Sequence, residues 1–211
     1  MSSLLAAVST LERQGHCAQA LNTVQILLPC APPRLDQAAL ALAGGRWALR
    51  QGGLQGYRLA EGYFDRARAF YEQRSQWDMV AISIAERAMG AVQYGVAHAL
   101  QTALKQLDEA ETYQQETHGQ AAATIAHYRA VVYDRLGEKA HAFEYFTRAY
   151  DLLQHHPGQA AKVLDDLGAY YVSLGKPHLA RSCYTQAIAK KTALGDVCGQ
   201  AVTSEIGRAH V

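Results

Sequence analysis

Apolar residues recur at three- and four-residue steps along most of this chain, and the pattern is cleanest over residues 157–196. Leu164, Leu167, Gly168 and Tyr171 mark one face of a first segment there. Ala180, Tyr184, Ala187 and Ile188 mark one face of a second, with Gly175 between the two. Such spacing lines up side chains on one stripe of an α-helix, so the stretch reads as a helix–turn–helix hairpin. Small residues at Gly168 and Ala180 let the two helices approach, while Tyr171 and Tyr184 fill the space beside them. One hairpin cannot bury its own apolar face, so it needs neighbours.

The second-helix face, a small residue followed four positions on by a large one and three further by another small one, is found upstream. It reads Ala60, Phe64, Ala67; then Ala103, Leu107, Ala110; then Ala142, Phe146, Ala149. A degenerate form, Ala20, Val24, Leu27, follows Gly15 and a stripe of Leu4, Val8 and Leu11. The first small residue of each falls at 20, 60, 103, 142 and 180, in steps of 40, 43, 39 and 38. First helices also share marks: Gly-Gln-Ala begins at Gly119, Gly158 and Gly199, and Tyr94, Tyr133 and Tyr171 recur in register. Accidental amphipathicity would not hold that register.

The prolines of PCAPPR (residues 29–34) end the first hairpin. Asp36 is expected to cap the next helix, over 36–51 with Trp47 as anchor, and GGLQG to form a long turn after it. The third hairpin carries Ala85, Gly90, Ala91 and Tyr94 in its first helix. The fourth carries Ala126, Ala130 and Tyr133, with Gly137 at the turn. The expectation is an all-α chain forming one array over 1–211. Its repeats lie at about 1–30, 35–74, 77–117, 119–156 and 157–196, with a truncated sixth at 197–211. Trp47, Phe64, Leu107, Phe146, Tyr171 and Tyr184 are the expected fillers between helices.

Leu167-Gly168-x-x-Tyr171 followed by Ala180-x-x-x-Tyr184-x-x-Ala187 resembles the tetratricopeptide repeat (TPR), a helical hairpin of about 34 residues. The longer steps near 40 resemble repeats of large bacterial signalling and regulatory proteins, which flank ATPase, nucleotidyl-cyclase, protease-like or DNA-binding domains. The resemblance implies a right-handed α-α superhelix, a TPR-like solenoid of five hairpins plus one unpaired C-terminal helix, its concave wall lined chiefly by first helices. It also implies groove-facing positions: Thr124, His127, Val131 and Asp134 in the fourth repeat, and Lys162, Asp165, Ala169 and Val172 or Ser173 in the fifth. Repeats that grip chaperone C-terminal carboxylates carry Lys at the fifth position and Asn at the ninth. Here those positions hold His127 and Val131, then Asp165 and Ala169, so that clamp is absent. A groove of mixed polar and small residues suits an extended or helical peptide.

Composition narrows the picture further. Lys plus Arg number 20 and Asp plus Glu 19, a balance that argues against a nucleic-acid or anionic-membrane partner. Cys17, Cys30, Cys183 and Cys198 have no zinc or disulfide-framework spacing, and reduced buried thiols are expected. The N-terminal apolar run is too short for a signal sequence or a membrane span, so a soluble, cytoplasmic protein is expected. The last seven residues, EIGRAHV, resemble the in-frame translation of a sequencing-library adapter, and the native protein is then expected to continue. Ile206-Gly207 also fits the Leu-Gly of the repeat.

No residue set for catalysis stands out. Phosphate-loop, nucleophile-elbow and zinc-protease motifs are absent. Asp165 and Asp166 are adjacent, so on a helix they point about 100° apart and do not face each other as an acid–base couple. His155-His156 sits at a helix end, where imidazoles can meet free carbonyls. Gly44-Gly45 and Gly52-Gly53 fit a loosened helix end better than a phosphate cradle. The tyrosines read as repeat anchors. No enzyme, cofactor or metal site is expected. The function expected is a protein-interaction scaffold with a peptide in the groove, as a fragment of a larger bacterial regulatory protein. The alternative is a ligand-sensing module controlling an attached effector domain, for which a closed apolar pocket is expected.

Overall fold

A computed structural model of the protein describes residues 10–11, 14, 16–28, 35–115 and 119–210. Ten helices account for nearly all of them: α1 (Cys17–Leu27), α2 (Leu35–Gln51), α3 (Gly53–Glu72), α4 (Trp77–Tyr94), α5 (Ala99–Tyr113), α6 (Gln120–Leu136), α7 (Lys139–Leu152), α8 (Pro157–Ser173), α9 (Pro177–Ala193) and α10 (Val197–His210). Among the described residues there is no strand. The first hairpin's opening stripe, Leu4 and Val8, lies outside the described residues.

The chain divides into two compact units, Met1–Glu12 with His16–Thr117, and Arg13–Gly15 with His118–Val211. The division falls between the third and fourth repeats read from the sequence.

In the first unit α2 pairs with α3 and α4 with α5, while α3 packs on α4 and α1 on α2. Trp47, Phe64, Leu107, Leu40 and Ile82 are fully buried, and the small positions Ala20, Ala60, Ala67, Ala103 and Ala110 are almost as dry. Gly44-Gly45 proves to be neither a loosened end nor a cradle. The pair lies in the middle of α2, where a Cβ on Gly45 would stand 2.6 Å from Phe64 Cδ1, and one on Gly44 3.3 Å from the Tyr63 ring. It is a close helix crossing. Two boundaries also differ from expectation. Helix α2 starts at Leu35, so Asp36 is inside it and not its cap. The long turn shrinks to Gly52 alone, because two successive left-handed glycines, Gly52 (φ +72°) and Gly53 (φ +71°), reverse the chain at once.

In the second unit α6 pairs with α7 and α8 with α9, α7 packs on α8, and α10 lies on α9. Ala123, Ala126 and Ala130 of α6 meet Ala142, Phe146 and Ala149 of α7 in one cluster, which continues through Ala160, Val163 and Tyr170 of α8. Ala161, Leu164, Cys183 and Ala187 make a second cluster between α8 and α9. Gly168 is a contact glycine like Gly45, with the Tyr184 ring filling the place of its side chain. The expected filler Tyr171 is half-buried and packs against both clusters, and its neighbour Tyr170 is buried more deeply still.

The turns inside the hairpins repeat one device. Gly137 at φ +84° lets the Glu138 N–H reach back to the Tyr133 carbonyl at 2.9 Å. Gly175 at φ +67° lets the Lys176 N–H reach Tyr171 in the same way. This closure satisfies end carbonyls that the helix itself leaves open. Pro157 and Pro177 then start α8 and α9, at positions where a missing N–H costs nothing.

Candidate functional site: the first-helix face of the second unit

The expected groove residues lie on α6 and α8, the first helices of two successive hairpins. Thr124, Val131 and Asp134 are half-buried, as is Val172, while Lys162, Ala169 and Ser173 are exposed. His127 is 8% exposed and Asp165 is largely buried, so these two point into helix contacts more than into solvent.

His127 sits beside the rings of Tyr128 and Phe146, and its Nε2 lies 2.7 Å from Asp166 Oδ2 across on α8. Asp165, one residue away, turns to the other side. One of its oxygens accepts from Lys191 Nζ on α9, and the other accepts from the Thr203 hydroxyl of α10 at 2.9 Å. Lys191 is 6% exposed and also donates to Thr203 Oγ1 and to the Gly199 carbonyl at 3.3 Å. A buried ammonium needs such a set of acceptors, because an unpaired charge in a dry interior is very costly. Burial pushes the Asp165 carboxyl above the ordinary carboxylate range, against the pull of Lys191 and of the Thr203 hydrogen bond.

Further along the face, Lys139 Nζ donates to Asp134 Oδ1 at 2.6 Å and to Ser173 Oγ at 2.8 Å. The Tyr170 hydroxyl in turn donates to the Lys139 carbonyl at 3.0 Å. Asp134 and Ser173 are thereby brought to one cation, which ties the end of α6 to the start of α7 and the end of α8. His127, Asp134, Asp165 and Ser173 are all engaged within the protein. Thr124 closes a local bond to the Gln120 carbonyl at 2.9 Å. Val131 of α6 packs partly against the core cluster, and Ala169 of α8 is exposed.

Asp166, Lys139, Lys191 and Thr203 escape the repeat pattern because that pattern tracks small and aromatic anchors. A usable signal does exist, since polar partners stand one repeat apart: His127 with Asp166, Asp165 with Thr203, and in the first unit Arg46 with Glu86, whose Nε–Oε1 distance is 2.7 Å. Complementary residues at steps of about 38–40 were there to be matched.

Elsewhere in this unit, a cleft of about 420 Å³ opens between α9 and α10, lined by Arg181, Tyr184, Ile188, Thr203, Gly207 and Arg208 among others. His155 and His156 are exposed before α8. Among the described residues no cluster of three or more His, Cys, Asp or Glu is placed to hold a metal, and no helix is long and apolar enough to cross a membrane.

Paired helices with small–aromatic contacts, repeated at about 40 residues, define the class: an all-α helical-repeat protein of TPR-like fold. The solved structure of BtubC (BKLC) from P. vanneervenii is similar, with a TM-score of 0.54 and 15% identity over 99% of this chain and 91% of that one. So are two structures of a Podosopora anserina putative kinesin light chain with nearly identical TPR-like repeats. One has a TM-score of 0.56 at 14% identity, covering 91% of this chain and 94% of that one. The other has 0.54 at 14%, covering 91% and 95%. No family model and no curated protein sequence matches the chain. At such identities the likeness concerns fold.

Proposed function

We propose that this chain is a protein–protein interaction module whose second unit takes an extended or helical peptide along the face of α6 and α8. The observation that carries the reading is the combination of a TPR-like fold with a first-helix face whose charged residues are already paired. Such a face offers shape to a ligand without first having to break open a set of solvated charges. Val131 and Ala169 form the floor of the contact, Thr124 and Lys162 stand at its near end, and Val172 and Ser173 at its far end. The Asp166 carboxylate, about half exposed, is the polar reference point within it. The module serves as the recognition segment of a larger bacterial regulatory protein, in the cytoplasm, and has no catalytic step of its own.

Selection from a displayed random-peptide library tests this. Peptides enriched on the intact chain are expected to lose at least tenfold in affinity on Ala169→Glu, while the melting temperature changes little, since Ala169 is exposed. A library that yields no binder, or binders indifferent to that substitution, would overturn the reading.

A further inference from the structure

Asp165 and Asp166 are adjacent in sequence yet are tied in opposite directions along the second unit. Consecutive helical residues stand about 100° apart, which allows one carboxylate to face the preceding hairpin and the other the following helix. Asp166 reaches back to His127 of α6, 39 residues earlier. Asp165 reaches forward, to Lys191 of α9 and to Thr203 of α10, 38 residues later. We infer that the Asp165-Asp166 pair is a two-way coupling device that fixes the α8 hairpin separately to α6 before it and to α10 after it.

The packing explains why such ties are needed. The faces meeting around α8 are rich in small side chains: Ala123 and Ala126 of α6 share a cluster with Ala160 of α8, and Ala161 of α8 shares one with Ala187 of α9. Apolar burial is non-directional, and smooth alanine faces resist sliding poorly. A hydrogen bond to a charged group has a preferred length and angle, so it fixes the relative position of two helices as well as adding stability. Both ties are anchored in dry surroundings at one end. The His127 side chain is 10% exposed and that of Lys191 7%, so neither partner can exchange its bond for water without loss. The first unit uses the same placement with different chemistry, Arg46 of α2 to Glu86 of α4. In consequence the positions that resemble groove contacts at His127 and Asp165 set the spacing of the first helices. That consequence for a ligand rests on the peptide-binding reading above, but the coupling does not.

Hydrogen–deuterium exchange of the intact chain, resolved by helix, separates the two ties. Asp166→Ala is expected to speed exchange in α6 by roughly ten- to a hundredfold, the range for a lost hydrogen bond to a charged group, and to leave α10 unchanged. Thr203→Val keeps the shape and removes the hydroxyl, so it is expected to speed exchange in α10 and leave α6 unchanged. His127→Leu removes the ring nitrogen and should repeat the Asp166→Ala pattern, and the two combined should add little to either alone. The inference is overturned if either substitution loosens both helices alike or leaves its own target unaffected. Exchange is read without any ligand, so a failure of peptide selection leaves this result standing, and the reverse holds as well.

Discussion

Gly168 offers the sharpest test of the packing. A Cβ added there would lie 2.5 Å from Tyr184 Cε1, 2.8 Å from Cζ and 2.9 Å from Cδ1. Real Cβ contacts do not come so close, and the ring, 3% exposed, cannot swing into solvent. Gly168→Ala gains about 1 kcal/mol of helix propensity but overpacks the crossing, at a cost of about 1–3 kcal/mol. Gly62 on α3 is the control, because a Cβ there meets nothing within 4 Å. Gly62→Ala keeps the propensity gain and is expected to stabilise by about 1 kcal/mol. The propensity gain is common to both, so the gap between the two variants isolates the contact, at about 1–3 kcal/mol in favour of Gly62→Ala. Urea denaturation followed by far-ultraviolet circular dichroism measures both. If Gly168→Ala proved as stabilising as Gly62→Ala, Tyr184 would not be seated on α8 in solution.

Two further outcomes follow from the same packing. Ala142 and Ala180 are completely buried at helix crossings. Substituting either with Glu places a carboxylate in a dry contact and should cost about 3 kcal/mol or more, so a thermal melt unchanged by both would contradict the hairpin arrangement. Burial pushes the Cys183 thiol up to about 11. Its folded value lies above its unfolded one, so its contribution to stability is fully present below the unfolded value of about 8.5 and is lost as pH rises toward 11. By pH 10 the loss is about 1–2 kcal/mol. Tyr57 and Tyr71, raised to about 12, respond at higher pH. A Cys183→Ala variant should therefore lack the decline between about pH 9 and pH 10, and a decline equal to that of the parent chain would assign it to other groups.

The hairpins were legible because each is a local message. Ala60, Phe64 and Ala67, or Ala142, Phe146 and Ala149, lie within two turns of one helix, and their burial follows from the period of 3.6 alone. Gly137 and Gly175 marked turns for the same kind of reason, a left-handed residue wanted at the end of a helix. Legibility was weaker where the surroundings, and not the local pattern, set the depth of burial. Tyr171 packs on both clusters as its spacing suggests, but Tyr170 is buried more deeply, and Gly44-Gly45 is pressed against rings from α3 although its sequence reads equally well as a frayed end.

The sequence by itself determined that this is a chain of paired helices repeating at about 40 residues, with small and aromatic anchors between them, because helix period and turn chemistry act over a few neighbouring residues. The tertiary structure decided what the charged residues do. Lys191 carries no mark in the repeat pattern, and the resemblance puts Asp165 in the groove and gives Asp166 no partner. Their roles depend on the azimuth of each side chain and on which helix, 26 to 39 residues away, it turns to face. That choice is made by the packing of whole helices against one another, where a rotation of one residue, about 100°, exchanges a solvated charge for a buried tie.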